Sequence, residues 1–200
     1  MISVDMRDDA REVRRVLAGY QRGADLVLLR TLNRVLTTVN SRAAGEIARE
    51  LGIPVGVAKR ALNIRRAVAG NLVADLKADT KRIPLIHFKA IQILTGVTYK
   101  IGKTPRRLLP RAFINVGPKV GRTVLKRARA DHEMGVSQLI DKGISDQLVG
   151  RNPSFIKYGA SPAAIFVKET VQKLLDTTAR ERWVDQLTAQ IKFFLSQQRG

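Results

Sequence analysis

Residues equipped for chemistry are few in this chain, and they stand far apart. The two histidines are His87, in IPLIHFKA, and His132, in ADHEMG, and neither belongs to an H-x-x-x-H pair or a wider ligand constellation. A catalytic zinc needs three protein ligands converging on one point, and a general base needs a partner to orient it. Lone histidines read instead as satisfied or surface residues. Asp8 and Asp9 open a helical pattern, where carboxylates favour the positive end of the helix dipole and need no catalytic role. There are no cysteines, which excludes disulfides, thiolate catalysis and Cys-ligated zinc. GRTVLKR lacks the spacing of a phosphate-binding G-x-x-x-x-G-K-[ST] loop, and no G-x-G-x-x-G follows a strand pattern. No catalytic residue, metal ligand or cofactor is expected, and the chain reads as non-enzymatic.

Binding chemistry is better represented. EIARELGIPVGVAKRALNIRR, from Glu46 to Arg66, has the outline of a helix-turn-helix over residues 46–63, with Lys59 and Arg60 offered to DNA. Its second helix, however, begins Pro54, Val55, Gly56, Val57, where a groove reader presents polar side chains to base edges. The competing reading is a packing corner, with Val55, Val57, Ala58, Ala61 and Leu62 turned inward on a sheet.

Charge is concentrated in the middle. Of the net +19, residues 1–50 contribute +2 (9 Lys and Arg, 7 Asp and Glu) and residues 131–200 contribute +1 (9 and 8). Residues 51–130 hold 18 basic residues against only Asp75 and Asp79, giving +16. Charge this localised speaks to an anionic partner rather than to folding. Aromatic residues are 5% of the chain, with no cluster among the bases, which argues against single-strand recognition by stacking. No apolar run approaches the roughly 18 residues of a membrane span, and the N-terminus MISVDMRDDAREVRR lacks the apolar core of a signal peptide.

The elements that must position these residues follow from periodicity. Leu28, Leu32, Val35, Leu36, Val39, Ile47 and Leu51 recur at three and four, which predicts a long helix after a break at Gly19 and Gly23, stopped by Gly52. After Arg66 the period turns to two: Leu72, Ala74, Leu76 and Ala78 against Val73, Asp75, Lys77 and Asp79, then GVTYKIGK, AFINVG and RTVLKRA. From about Pro162 to Gln198 a second helical stripe runs through Val171, Leu175, Trp183, Leu187, Ile191 and Phe194. The expected fold is α+β in a single domain over 1–200: N-terminal helices (1–66), a basic meander of about four antiparallel strands (67–130), a long loop (131–161) and a C-terminal helix (162–198).

The ordered set TLNRVLTTVNSRAAGEIARELGIP, KRALNIRRA, RIPLIHFKA, GVTYKIGK, LPRAFINV, GRTVLKR and FIKYGASPAAIF resembles the phage minor tail protein Z family, the lambda-type tail completion proteins. The resemblance runs from about Leu28 to the C-terminus. The chain departs from it at Ala160, where the family often has proline, and in a longer stretch at 130–152. The resemblance implies a virion structural protein at the head-proximal end of the tail, present in the host cytoplasm during assembly. It implies roles in finishing the tail, joining it to the head and positioning DNA. Implied partners are copies of the chain in a ring, six being expected, the tail terminator and tube, and the head–tail connector. The family supplies no catalytic residues.

The residues themselves suggest where such contacts lie. Lys100, Lys103, Arg106, Arg107, Arg111, Lys119, Arg122, Lys126, Arg127 and Arg129 fall at strand ends and turns, and are expected to form one patch facing DNA phosphates or an acidic neighbour. The stripe on the final helix is wider than a small sheet can cover, so Trp183, Leu187 and Phe194 are expected at a subunit interface.

Overall fold

Apolar side chains at helical spacing wind Gln21–Leu51 into one helix, α1, burying Leu28, Val35, Leu36, Val39, Ile47 and Leu51. The computed structural model describes residues 11, 14, 15, 21–117, 121–127 and 154–197. Gly23 does not break the chain. It lies inside α1, and a methyl there would strike the Phe194 ring, so the glycine permits a close approach. The expected break at Gly19 lies outside the described residues. At the other end Gly52 takes φ +69, and the amides of Gly52 and Ile53 both donate to the Ala48 carbonyl, at 2.8 and 3.1 Å. That left-handed cap closes the helix as the sequence suggests.

Helix α2, Val55–Arg60, is only six residues long and passes into β1, Leu62–Arg65. Ala58 and Leu62 are buried, while Val55 faces solvent. Strand β1 pairs antiparallel with β2, Asp75–Ala78, setting Arg65 opposite Asp75. A groove-reading helix-turn-helix keeps a longer second helix and a third to support it; here the chain turns to strand instead.

Among the described residues, eight short strands in three antiparallel sheets stand where a single sheet of about four was expected. The first is β1–β2. The second joins β3 (Ile91–Ile93), β4 (Gly96–Tyr99) and β5 (Arg107–Pro110). The third joins β6 (Ala112–Gly117), β7 (Gly121–Arg127) and β8 (Ser154–Ile156). Strand β8 lies within the expected 131–161 loop; the rest of that loop up to residue 153 is outside the described residues. The C-terminal helix starts in two pieces, α3 (Pro162–Phe166) and α4 (Glu169–Gln197). The class remains α+β, with a long helix near each end.

The chain clusters into two compact units where the sequence suggested one domain. The first comprises residues 1–47, 55–80 and 162–200. In it the side chain of Asn33 on α1 makes two 3.0 Å hydrogen bonds with the backbone of Ala67, donating to its carbonyl and accepting from its amide. Val171, Leu175, Ala179 and Trp183 recur every four residues along α4 and are all buried. The second unit comprises 48–54 and 81–161 and carries the second and third sheets. Its core centres on Phe88, Val97 and Val124. The ring of Phe88 lies against Gly159, and the amide of Gly102, at φ +56, donates to the Leu51 carbonyl at 2.8 Å.

Candidate partner-binding surface

No Asp or Glu occurs between Asp79 and Asp131, a stretch holding thirteen Lys and Arg. The second unit is built mainly from it. No strand of the second and third sheets carries a carboxylate of its own.

Around β5 the bases are held in place by backbone geometry. Arg106, immediately before the strand, donates from Nη1 to Thr98 Oγ1 at 3.0 Å and from Nη2 to the Lys89 carbonyl at 3.2 Å. These bonds fix the guanidinium while leaving other N–H donors for a ligand. Arg107 opens β5, and Arg111 follows its last residue; both are exposed. Lys103 is exposed in the loop after β4, and Lys100 is half-buried, its amide donating to the Phe88 carbonyl at 2.9 Å.

A second group lies on β7. Arg122 is exposed and Lys126 half-buried; Arg127 ends the strand. Register sets Ala112 opposite Lys126, so Arg111, next in sequence to Ala112, lies at the Lys126 end of β7, while Arg122 lies opposite Val116 at the far end. Lys119 and Arg129 lie outside the described residues, as does the Arg127 side chain. Two bases that the strand pattern did not single out also belong here. Lys89 supplies the carbonyl that anchors Arg106, and Lys157 follows β8. Burial, and then the neighbouring Lys126 ammonium, hold Lys157 below the usual lysine range. Lys157 was hidden in an apparent loop, and only its pairing with β7 could have revealed it.

Backbone strain marks two of these positions. Lys89 has φ 53 and Arg111 has φ 58, the left-handed region where a Cβ costs roughly 1–2 kcal/mol and glycine is at ease. Folding therefore does not ask for a basic side chain at either place. Arg111→Gly should leave thermal stability unchanged or raise it by up to about 1 kcal/mol, glycine's extra unfolded-state entropy offsetting part of the relieved strain. The same variant should bind a polyanion more weakly in a filter or anisotropy assay. A clear loss of stability would show that the arginine serves the fold.

The three residues expected at a subunit interface lie along α4. Trp183 is 3% exposed, in the chain's own core. Phe194 packs its ring on Gly23, and Leu187 is half-buried. The burial that periodicity announced is thus met largely within the chain for Trp183 and Phe194. On α4 the exposed apolar side chains are Val184, Phe193 and Leu195, with the Arg30 guanidinium 6.0 Å from the centre of the Phe193 ring.

Among the described residues no group of three or more His, Asp or Glu is placed to hold a metal ion, and no helix is long and apolar enough to cross a membrane. The family model for prophage minor tail protein Z matches residues 10–198. No curated protein and no solved structure matches the chain.

Proposed function

Since the chain belongs to the prophage minor tail protein Z family and is thus a structural protein of a phage tail, we propose that it completes the head-proximal end of the tail and takes part in joining tail to head. In this reading it assembles as a homo-oligomeric ring, with six copies to suit a six-fold tube, between the tail terminator and the head–tail connector. The observation that carries the reading is the run of thirteen Lys and Arg without a carboxylate between Asp79 and Asp131, whose described bases stand on strand ends and loops. Repeated by ring symmetry, such a surface presents a strong positive potential to whatever passes through or sits on the ring. DNA passing the neck meets it through phosphates alone, since the described elements offer no groove-reading helix.

Electron microscopy of the particle tests this, with the chain marked by an added domain. The expected image has the extra density in a ring at the neck, and particles made without the chain should show tails that do not join heads. Density at the distal tip, or none in the particle, would contradict the proposal.

A further inference from the structure

The alternation of side chains across β3, β4 and β5 divides the second sheet into two faces. Val97 and Leu109 point to one face; Val97 is fully buried, and Gln92 on that side accepts a 2.7 Å hydrogen bond from the Ile114 amide of β6. The other face carries Ile91 and Ile93 on β3, Gly96 and Thr98 on β4, and Leu108 and Pro110 on β5, with Ile91, Thr98 and Leu108 aligned across the three strands. This face is largely apolar, and its β3 and β5 side chains are exposed. Ile91 is 51% exposed, Ile93 38% and Leu108 48%, and Leu94 at the β3–β4 turn is fully exposed. Soluble proteins seldom leave contiguous apolar surface open without a partner.

The border of the face identifies the kind of partner. Lys89 and Arg106 stand at one end, with Arg106 held over the face by its bond to Thr98. Arg111 stands at the other end, its amide donating to the Thr95 carbonyl at 3.1 Å. An apolar centre with arginine at its edge is the usual anatomy of a protein–protein interface. Duplex DNA offers phosphates and no apolar complement to isoleucine and leucine. A second copy of this chain fits poorly, because its exposed acids on α4 are interleaved with bases, as in the Lys173–Glu169 and Arg182–Asp185 pairs. We infer that the β3–β4–β5 face docks another protein of the particle, one presenting an apolar centre within an acidic rim. This rests on the proposed place in the neck and adds that the tail-to-head joint is made through this sheet.

Tails and heads purified from particles made without this chain are the probes, with the full-length chain added back. Wild type should bind one of them, more weakly as salt rises. Ile91→Ser combined with Leu108→Ser changes no charge and removes no buried side chain. It should weaken that binding about tenfold or more, with the circular dichroism and duplex-DNA affinity of wild type, and Arg106→Gln should weaken particle binding as well. Equal particle binding by the double variant would overturn the inference alone. So would abolished duplex binding, which would make the face a nucleic-acid surface, or an altered sedimentation mass with particle binding intact, which would make it an interface between copies. If Asp141→Asn with Asp146→Asn speeds hydrogen exchange at Ile91 and Leu108 in the isolated chain, the occupant is the chain's own 131–153 stretch, which carries Asp131, Glu133, Asp141 and Asp146, and the inference also fails. Wild type binding neither tails nor heads would remove the neck assignment itself.

Discussion

Trp183→Ala should cost about 3–5 kcal/mol, the range for deleting a large aromatic from a packed core. A domain's whole stability is typically about 5–15 kcal/mol, so the variant is expected to be partly unfolded or aggregated at 37 °C. The residue lies on the α4 stripe that also carries Val171, Leu175 and Ala179. Within the same unit, Arg34 Nη1 reaches Gln186 Oε1 at 3.5 Å and Phe194 rests on Gly23, so α1 and α4 meet along this length. The indole Nε1–H is buried with no acceptor among the described residues. Trp183→Phe should therefore keep most of the packing and remove an unsatisfied donor, for a cost under about 1.5 kcal/mol. Chemical denaturation of the two variants checks the ordering. Trp183 is the only tryptophan, so its fluorescence also separates core from subunit interface. A core indole emits blue-shifted light that does not change on dilution, whereas an interface indole shifts as the assembly dissociates. A dilution-dependent shift would return Trp183 to the interface.

Replacing Arg106, Arg107 and Arg111 together by Gln should lower the salt dependence of duplex binding, beside the weaker particle binding expected from Arg106. Each phosphate that a base no longer neutralises lowers the slope of log affinity against log salt by about 0.9, so three such phosphates lower it by about 2.7. The three arginines are exposed around β5; Arg107 pairs in the strand and Arg111 donates to Thr95 through backbone atoms, which Gln retains. Arg106 gives up two hydrogen bonds, worth about 0.5–1.5 kcal/mol each, so the fold should persist. Anisotropy titrations with a mixed-sequence duplex between about 50 and 200 mM salt measure the slope, and wild type should bind unrelated sequences equally. An unchanged slope, together with tails that fail to join heads, would mean that these arginines serve a protein neighbour rather than phosphates. A single protected operator in a footprint would instead favour the helix-turn-helix reading of residues 46–63, a sequence-specific DNA-binding regulator.

The long elements were legible in the sequence because each carries its own evidence. Leu28 through Leu51 repeat at helical spacing with a glycine at the stop, and α1 forms there with Gly52 in the left-handed cap. AFINVG and RTVLKR alternate and flank a turn, and they pair in register as β6 and β7. The basic character of the middle was equally plain, as counting charge needs no fold. Short strands escaped for a physical reason. LNIR, IQI and SFI bury little by themselves and are strands only because Asp75–Ala78, Gly96–Tyr99 and Leu125–Arg127 lie beside them. The helical part expected over 1–66 takes in NIR, yet a partner strand further along the chain makes it part of β1, as the Arg65–Asp75 and Leu62–Ala78 pairing shows. Period-two pattern specifies two faces of a strand but not which face is covered, so the open side holding Ile91 and Leu108 was invisible until strand order and packing on β6 were known. In the same way a stripe containing Trp183 states that something must bury it. Whether α1 of the same chain or a neighbouring subunit does so is settled only by the path the backbone takes.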